Sequence, residues 1–181
     1  MFCGLRPSEA AALLWSDVDL KSGKVSVNKS LKKDRSVGDT KTSAGVRNVP
    51  IPEQFLDELK QIKHEPFELV CKNSKGDKMS PTSMKRLWNS LMRLMNIAAG
   101  CKTFRGALVP PYPIADDLVM YCLRHTYCTD LQAAGVPINV ARELMGHASI
   151  STTAEIYTHG SEESFEDARK KLNQLELLRA K

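Results

Sequence analysis

Residues 121–159 read YCLRHTYCTDLQAAGVPINVARELMGHASISTTAEIYTH, a stretch in which short breaks divide the helical periodicity into three segments. The three predicted helices run from about Asp116 to Ala134, from Pro137 onward, and from Ser149 to Tyr157. Gly135 ends the first of them in the manner of a C-terminal cap. The sequence therefore predicts that this part of the chain is all helical.

The same stretch carries side chains that are suited to binding and attacking a phosphate. Tyr121 and Arg124 stand three residues apart, which places them on one face of a helix. His147, at a predicted helix end, and Tyr157, on the next helix, can meet over one substrate atom. Each of these residues, taken alone, is more often a core or surface residue, so a functional interpretation depends on their combination.

The N-terminal part is predicted to form a helix followed by a small antiparallel sheet. Pro7 suits a first helical turn, and a strong helix pattern continues to Trp15. Alternating apolar residues predict one strand over Lys24 to Leu31 and a second over Val46 to Ile51. Pro52 ends the second strand.

The middle of the chain adds helices and one short strand. Helical spacing begins at Phe55, a short strand is predicted from Leu69 to Cys71, and Ser80 caps a further helix. The apolar stripe of that helix consists of Met84, Leu87, Trp88, Leu91, Leu94 and Met95. We expect the stripe to lie in the core rather than to form a binding groove. The predicted fold class is α+β, mostly helical with a small antiparallel sheet.

Two N-terminal segments also collect residues that can act on a phosphate. GLRPSE, residues 4–9, places Arg6 just before a helix and Glu9 three residues later, where the carboxylate can hold a guanidinium that binds phosphate. Lys41 lies in TKT, in the loop between the two strands, where an ammonium group can donate a proton. Taken singly, the first is better explained as a surface salt bridge and the second as an ordinary hairpin lysine.

The order arginine, lysine, arginine, histidine, tyrosine is far more specific than any one segment. The motifs GLRPSE, TKT, LRHT, LMGH and IYTH resemble the signature of the tyrosine recombinases, also called phage integrases. The resemblance extends from Gly4 to the last predicted helix. It implies the DNA breaking-rejoining catalytic-domain fold and a site-specific recombinase that integrates or excises a bacterial mobile element or prophage.

The resemblance implies roles for six side chains around one DNA phosphate. Tyr157 is the nucleophile that forms a 3′-phosphotyrosyl link, Arg6 and Arg124 hold the non-bridging oxygens, Lys41 protonates the leaving 5′-oxygen, His147 hydrogen-bonds the phosphate, and Glu9 supports the first arginine. Charge builds on the phosphate in the transition state, and each fixed donor that stabilises such charge contributes about 3–4 kcal/mol. The phosphotyrosyl ester keeps the energy of the broken bond, so no ATP or other cofactor is expected.

Tyr121 departs from the pattern, because the family usually has histidine three residues before the second arginine. A phenol ordinarily titrates near pH 10 and an imidazole near neutrality, so a tyrosine is a poor proton acceptor. Tyr121 can still donate a hydrogen bond to the phosphate. The alternative, that Tyr121 only packs, has nearly equal weight.

Composition narrows the class of protein and its compartment. The net charge of +5 is uneven, because residues 61–110 hold nine basic residues against three acidic ones. This distribution fits a nucleic-acid surface, although charge alone favours a solvated lysine-rich face. The five cysteines are irregularly spaced, which indicates a reducing compartment without a zinc site. No leader or membrane span is apparent, so a cytoplasmic, nucleoid-associated protein is predicted.

The resemblance also has consequences for domains and partners. It implies that residues 1–181 form a single catalytic domain lacking its first helices and the N-terminal core-binding domain. The implied partners are double-stranded DNA, further copies of the chain in a tetramer on DNA, and an accessory DNA-bending or excision factor. The last helix, with an apolar seam of Phe165, Leu172, Leu175 and Leu178, either docks on a neighbouring copy or folds back on its own domain.

Two other functions stay open at this point. The chain could be a non-catalytic DNA-binding remnant or regulator, which the departure at Tyr121 favours and the other signature residues oppose. It could also be a type IB topoisomerase-like enzyme, which shares the chemistry. The integrase-like form of LMGH and IYTH opposes that reading.

Overall fold

The computed structural model describes residues 2–40, 42–62, 64–157, 166 and 169–170. The α-helices of this part of the chain are α1 (Pro7–Ala10), α2 (Glu53–Lys60), α3 (Pro81–Ala98), α4 (Cys122–Ala133), α5 (Ile138–Met145) and α6 (Ile150–Tyr157). Its strands are β1 (Val18–Asp19), β2 (Lys24–Val27), β3 (Lys29–Leu31), β4 (Val37–Asp39), β5 (Arg47–Pro50), β6 (Thr103–Phe104) and β7 (Ala107–Leu108). The predicted α+β class, mostly helical with small antiparallel sheets, is confirmed.

The main sheet has three antiparallel strands in the order β1-β2-β5. Val25, at its centre, pairs with Val18 on one side and Val49 on the other, and all three are buried. Two further hairpins pair β3 with β4 and β6 with β7. The single strand predicted over residues 24–31 is therefore divided at Asn28, because its two halves pair with different partners.

Helix α1 is shorter than the sequence predicts, since it ends at Ala10 instead of Trp15. The chain becomes extended at Leu14, which forms an isolated antiparallel bridge with Leu69. Leu69 makes only this bridge, so the short strand predicted from Leu69 to Cys71 is also wrong. A pairing between segments more than fifty residues apart has overridden local helix propensity here.

The apolar stripe of α3 is only partly in the core. Leu87, Leu91 and Leu94 are 55%, 36% and 58% exposed, so the prediction that they are core residues is wrong. Met84, Trp88 and Met95, on the adjacent face of the stripe, are half-buried, and the indole of Trp88 donates to the carbonyl of Leu118 at 3.0 Å. An apolar groove of about 860 Å³ lies between that face and residues 107–120.

Most helix ends follow the local signals. Ser80 caps α3 and Pro137 precedes α5, as predicted, and Gly135 follows α4 with a φ of +70°. The first C-terminal helix, however, begins at Cys122 instead of Asp116, because the preceding residues form turns. Among the described residues, no helix is long and apolar enough to cross a membrane. The apolar seam predicted for the final helix, Phe165, Leu172, Leu175 and Leu178, lies outside the described residues.

The main core lies between the three-stranded sheet and the C-terminal helices. Its buried members include Trp15, Val25, Val27, Val49, Leu59, Tyr127, Cys128 and Met145. Leu5 and Tyr157 are partly buried and pack against this cluster, so the core supports both ends of the motif series. The side chains that bind phosphate in the sequence hypothesis are thus carried by well-packed elements.

Candidate active site

Arg6 is placed by a close approach between the N-terminal segment and α4. Gly4 has a φ of +55°, and a Cβ at this position would overlap the ring of Tyr127, so a glycine is required. Arg6 then occupies the N-cap position of α1. Its Nη2 donates to the carbonyl of Gly146 at 3.0 Å, and its Nη1 donates to Glu9 at 2.6 Å.

Glu9 is a buried carboxylate that two arginines share. One oxygen accepts the Arg6 backbone N–H at 2.8 Å and Arg47 Nη2 at 2.9 Å, while the other accepts Arg6 Nη1 and Arg47 Nη1. Burial by itself would raise the pKa of Glu9, but the hydrogen bonds and charges of Arg47 and Arg6 outweigh burial and leave this pKa below its ordinary value. Glu9 is therefore ionised at neutral pH.

Arg124 lies on α4 and is only 2% exposed. Its Nη1 donates to the carbonyl of Gly4 at 2.6 Å, and its Nη2 donates to the carbonyl of Met145. Burial, followed by the charges of Arg6 and Arg47, lowers the pKa of Arg124 to about 10. The guanidinium still carries its charge at neutral pH, so α4 delivers a buried cation to the end of α5.

His147 follows the last turn of α5. Gly146 ends this helix in the left-handed conformation, with a φ of +63° and a ψ of +43°. The ring of His147 is buried, and its Nδ1 lies 2.9 Å from Oγ1 of the fully buried Thr153 on α6. Burial and the charges of Arg124, Arg6 and Arg47 lower the pKa of His147 to about 4. The imidazole is thus neutral at physiological pH.

The structure therefore brings three of the predicted phosphate ligands together. Arg124 and Arg6 bind the consecutive carbonyls of Met145 and Gly146, and His147 is the next residue. Arg6 and Arg47 share the single carboxylate of Glu9, and Arg124 adds a third guanidinium, which leaves an excess of positive charge. Such an arrangement suits an anion, because charge-assisted hydrogen bonds from arginine to phosphate are strong and directional.

Tyr157 ends α6 and lies beside the C-terminal end of α4. Its backbone carbonyl accepts from Gln132 Nε2 at 3.1 Å, and its hydroxyl donates to the carbonyl of Val136 at 3.3 Å. Burial, with a smaller contribution from Cys128, raises the pKa of the phenol. The hydroxyl is thus protonated at neutral pH and is engaged by backbone rather than by an arginine.

The remaining predicted site residues are Tyr121 and Lys41. Tyr121 stands one turn before Arg124, is 40% exposed, and packs edge-on against the ring of His125 at a centroid distance of 5.1 Å. Lys41 lies outside the described residues.

Sequence reasoning missed Arg47 and Thr153, which both contact predicted site residues. The signal for Arg47 is strand alternation, because it shares the inward face of β5 with the buried Val49. The signal for Thr153 is helical spacing, because it stands four residues before Tyr157 and so lies on the same side of α6. Both signals become meaningful only when the element that each residue faces is known.

The fold and the arginine cluster together define a class of protein. It is an α+β domain in which clustered arginines lie beside a helix that ends in tyrosine. The family model described as the phage integrase family matches residues 1–164, and the chain belongs to this family. The family resemblance of the sequence motifs is thereby confirmed.

The curated relatives are recombinases and transposases. A tyrosine recombinase XerC-like protein of Caldanaerobacter subterraneus is 28% identical, over 95% of this chain and 46% of that protein. The transposase from transposon Tn916 of Enterococcus faecalis is also 28% identical, over 94% of this chain and 43% of that protein. The chain thus spans about half the length of the curated relatives that it matches.

Solved structures share the fold. The Tn1549 transposon integrase in complex with circular intermediate DNA matches with a TM-score of 0.70 at 23% identity, over 94% of this chain and 56% of that one. XerA recombinase matches with a TM-score of 0.59 at 21% identity, over 94% of this chain and 52% of that one. The predicted tyrosine-recombinase catalytic-domain fold is confirmed.

Proposed function

We propose that this chain is the catalytic part of a site-specific recombinase that cuts and rejoins double-stranded DNA. The observation that carries the proposal is the convergence of Arg6, Arg124 and His147 at the end of α5, with Tyr157 on the following helix. Membership of the phage integrase family supports it, as does the DNA complex of the similar Tn1549 transposon integrase.

The proposed reaction is a transesterification. The Tyr157 oxygen bonds to the scissile phosphorus while the bond to the 5′-oxygen breaks, which leaves a 3′-phosphotyrosyl link and a free 5′-hydroxyl. The phenol proton passes to water, and Lys41 protonates the departing oxygen. The reverse reaction with a new 5′-hydroxyl rejoins the strands without ATP.

The contacts of Arg6 and Arg124 suit a site that stabilises the transition state. Arg6 and Arg124 are held by backbone carbonyls and Glu9 before any substrate arrives, so little reorganisation is needed when charge builds on the phosphate. His147 and the exposed hydroxyl of Tyr121 each add a hydrogen bond to the same group. Tyr157 must leave the carbonyl of Val136 before it attacks.

The domain and partner assignments belong to the same proposal. Since the chain spans about half the length of its relatives, we propose that residues 1–181 are one catalytic domain and that the whole protein has a separate DNA-binding domain. We also propose that the protein works as a tetramer on DNA, with an accessory DNA-bending or excision factor. The basic residues between 61 and 110 are proposed to contact the duplex.

Covalent trapping tests the proposal. A pool of nicked duplexes with a randomised core is incubated with the chain, and covalent adducts are separated under denaturing conditions. The nick releases a short leaving strand, so rejoining fails and the adduct accumulates. We expect an adduct with the wild-type chain and none with Tyr157→Phe, which removes only the hydroxyl. DNA binding without an adduct would instead indicate a non-catalytic DNA-binding protein.

A further inference from the structure

We infer that Arg47, which belongs to none of the sequence motifs, is a positioning residue that sets the strength of the anion site by holding Glu9 and the end of α5 together. The inference rests on the proposed function for the identity of the anion, a DNA phosphate. Its physical basis is a set of contacts made by one buried guanidinium to three segments of the site.

The first contact is the ion pair with Glu9. Arg47 Nη2 and Nη1 donate to the two carboxylate oxygens at 2.9 and 3.2 Å, and the two side chains are 5% and 2% exposed. Glu9 also holds Arg6, so its single negative charge is shared between two cations. Because of Arg47, the carboxylate orients Arg6 without cancelling the positive charge that a phosphate needs.

The second and third contacts connect β5 to α5 and to the loop that follows Lys41. Arg47 Nε donates to the carbonyl of Leu144 at 2.7 Å, three residues before His147. Its Nη1 donates to the carbonyl of Gly45 at 2.9 Å, at the end of the 3-10 helix Ser43–Gly45. One guanidinium therefore fixes the end of α5, which precedes His147, to the 3-10 helix Ser43–Gly45.

The packing around Arg47 shows that this arrangement is tight. A Cβ added at Gly146 would lie 2.8 Å from Arg47 Nη1 and 3.0 Å from the carbonyl oxygen of Ala44. The glycine of the LMGH motif is thus needed both to end α5 and to admit the guanidinium. A lysine at position 47 would keep the charge, but it could not bind both Glu9 oxygens and the Leu144 carbonyl at once.

Adduct kinetics at saturating DNA test the inference. With a duplex recovered from the randomised pool, we expect Arg47→Met to lower the rate constant for adduct formation by about 100-fold, as expected when reacting groups shift slightly. The final adduct yield should stay unchanged, whereas mere instability would lower the yield and leave the rate constant. The rate constant of Arg47→Lys should lie between those of wild type and Arg47→Met. If Arg47→Met does not fold, Arg47→Lys replaces it in every comparison.

Two further variants separate positioning from a general loss of charge. Arg142→Met removes a charge from α5 near the same site without contacting Glu9, and it should change the rate constant less than twofold. In the Arg47→Met background, Glu9→Gln removes the carboxylate that would otherwise neutralise Arg6, so the rate constant should recover at least tenfold. Equal losses in Arg47→Met and Arg142→Met, or no recovery in the double variant, would overturn the inference.

Sulfate binding tests the same role without DNA chemistry. The increase of the melting temperature with added sulfate, at constant ionic strength, gives the half-saturating sulfate concentration. We expect this concentration to rise about tenfold in Arg47→Met, to return towards wild type in the double variant and to stay unchanged in Arg142→Met. If the wild-type chain forms no adduct but this pattern appears, the proposed reaction fails and the role of Arg47 stands. If the half-saturating sulfate concentration is the same in wild type and Arg47→Met, the inference fails.

Discussion

Single residues in this site have properties that their neighbours impose. His147 is a buried imidazole among guanidinium groups, and it would bind a second proton only at a strong electrostatic cost. A neutral ring offers one N–H donor and one acceptor, and Thr153 occupies the Nδ1 side. The other ring nitrogen is then the atom that can serve a phosphate.

The depressed pKa of His147 predicts a specific pH dependence of stability. The pKa is about 4 in the folded chain and about 6.5 when unfolded, so between these values the unfolded state binds more protons. The contribution of His147 to the free energy of unfolding is therefore complete above pH 6.5 and is lost as the pH falls to 4, by on the order of 3 kcal/mol. Urea unfolding of wild type and His147→Asn at pH 7 and pH 4 measures it.

In that experiment His147→Asn should lose less stability between pH 7 and pH 4 than wild type. His125→Asn, on the exposed side of α4, is the comparison variant and should change the pH dependence less than His147→Asn, because the charge of His125 is the smallest named cause of the lowered pKa of His147. Parallel losses in all three proteins would show that the environment of His147 does not disfavour its charged form.

How much of the site could be predicted from sequence depends on where each residue stands. Arg6, Arg124 and His147 lie in short motifs, so a family resemblance was sufficient to find them. Arg47 lies at the start of a strand, where a basic side chain ordinarily indicates solvent. The role of Arg47 becomes apparent only from its contacts with Glu9 and Leu144, which are far apart in sequence.

At the scale of elements, local sequence signals predicted the structure well where no long-range pairing opposes them. The cap at Ser80 and the break at Gly135 are local, and both are observed. Helix α1 fails at Leu14 and the strand over residues 24–31 is divided, because long-range pairing partners decide these positions. The apolar periodicity of α3 gave the helix correctly but not which of its faces is covered.

The exposed stripe of α3 gives a direct test of the corrected assignment. Leu94 is 58% exposed and Leu59, on α2, is 7% exposed, so the same substitution removes a solvated side chain in one case and a packed one in the other. Leu94→Ala should change the free energy of unfolding by less than about 0.5 kcal/mol. Leu59→Ala should cost about 2–5 kcal/mol.

Chemical denaturation of the two variants measures the difference. A loss of more than 2 kcal/mol in Leu94→Ala would mean that the stripe is packed after all, as its periodicity alone suggests. The comparison is made on the same chain and with the same atoms removed, so helix propensity contributes equally to both changes.

On the scale of the whole molecule, the site is one part of a positively charged protein. The net charge is +5, and the basic residues of the middle segment lie on α3 and in the segments just before and after it. The proposed binding to DNA should therefore be dominated by phosphate contacts and should weaken steeply with salt. Each phosphate that the protein neutralises changes the slope of log K against log salt by about −0.9. The contribution of one phosphate-binding arginine to the salt dependence can therefore be measured.

Arg6 is the site arginine for which this contribution can be measured most cleanly, because its side chain is 29% exposed while Arg124 is buried. Arg6→Gln should reduce the magnitude of the salt slope for duplex binding by about 0.9, the value of one phosphate contact. Tyr157→Phe should leave the slope unchanged, since it removes no charge. Fluorescence anisotropy with a labelled duplex at several salt concentrations gives both slopes. If Arg6→Gln weakens binding at every salt concentration without changing the slope, Arg6 supports the fold around Glu9 and Gly146 but does not contact the DNA backbone.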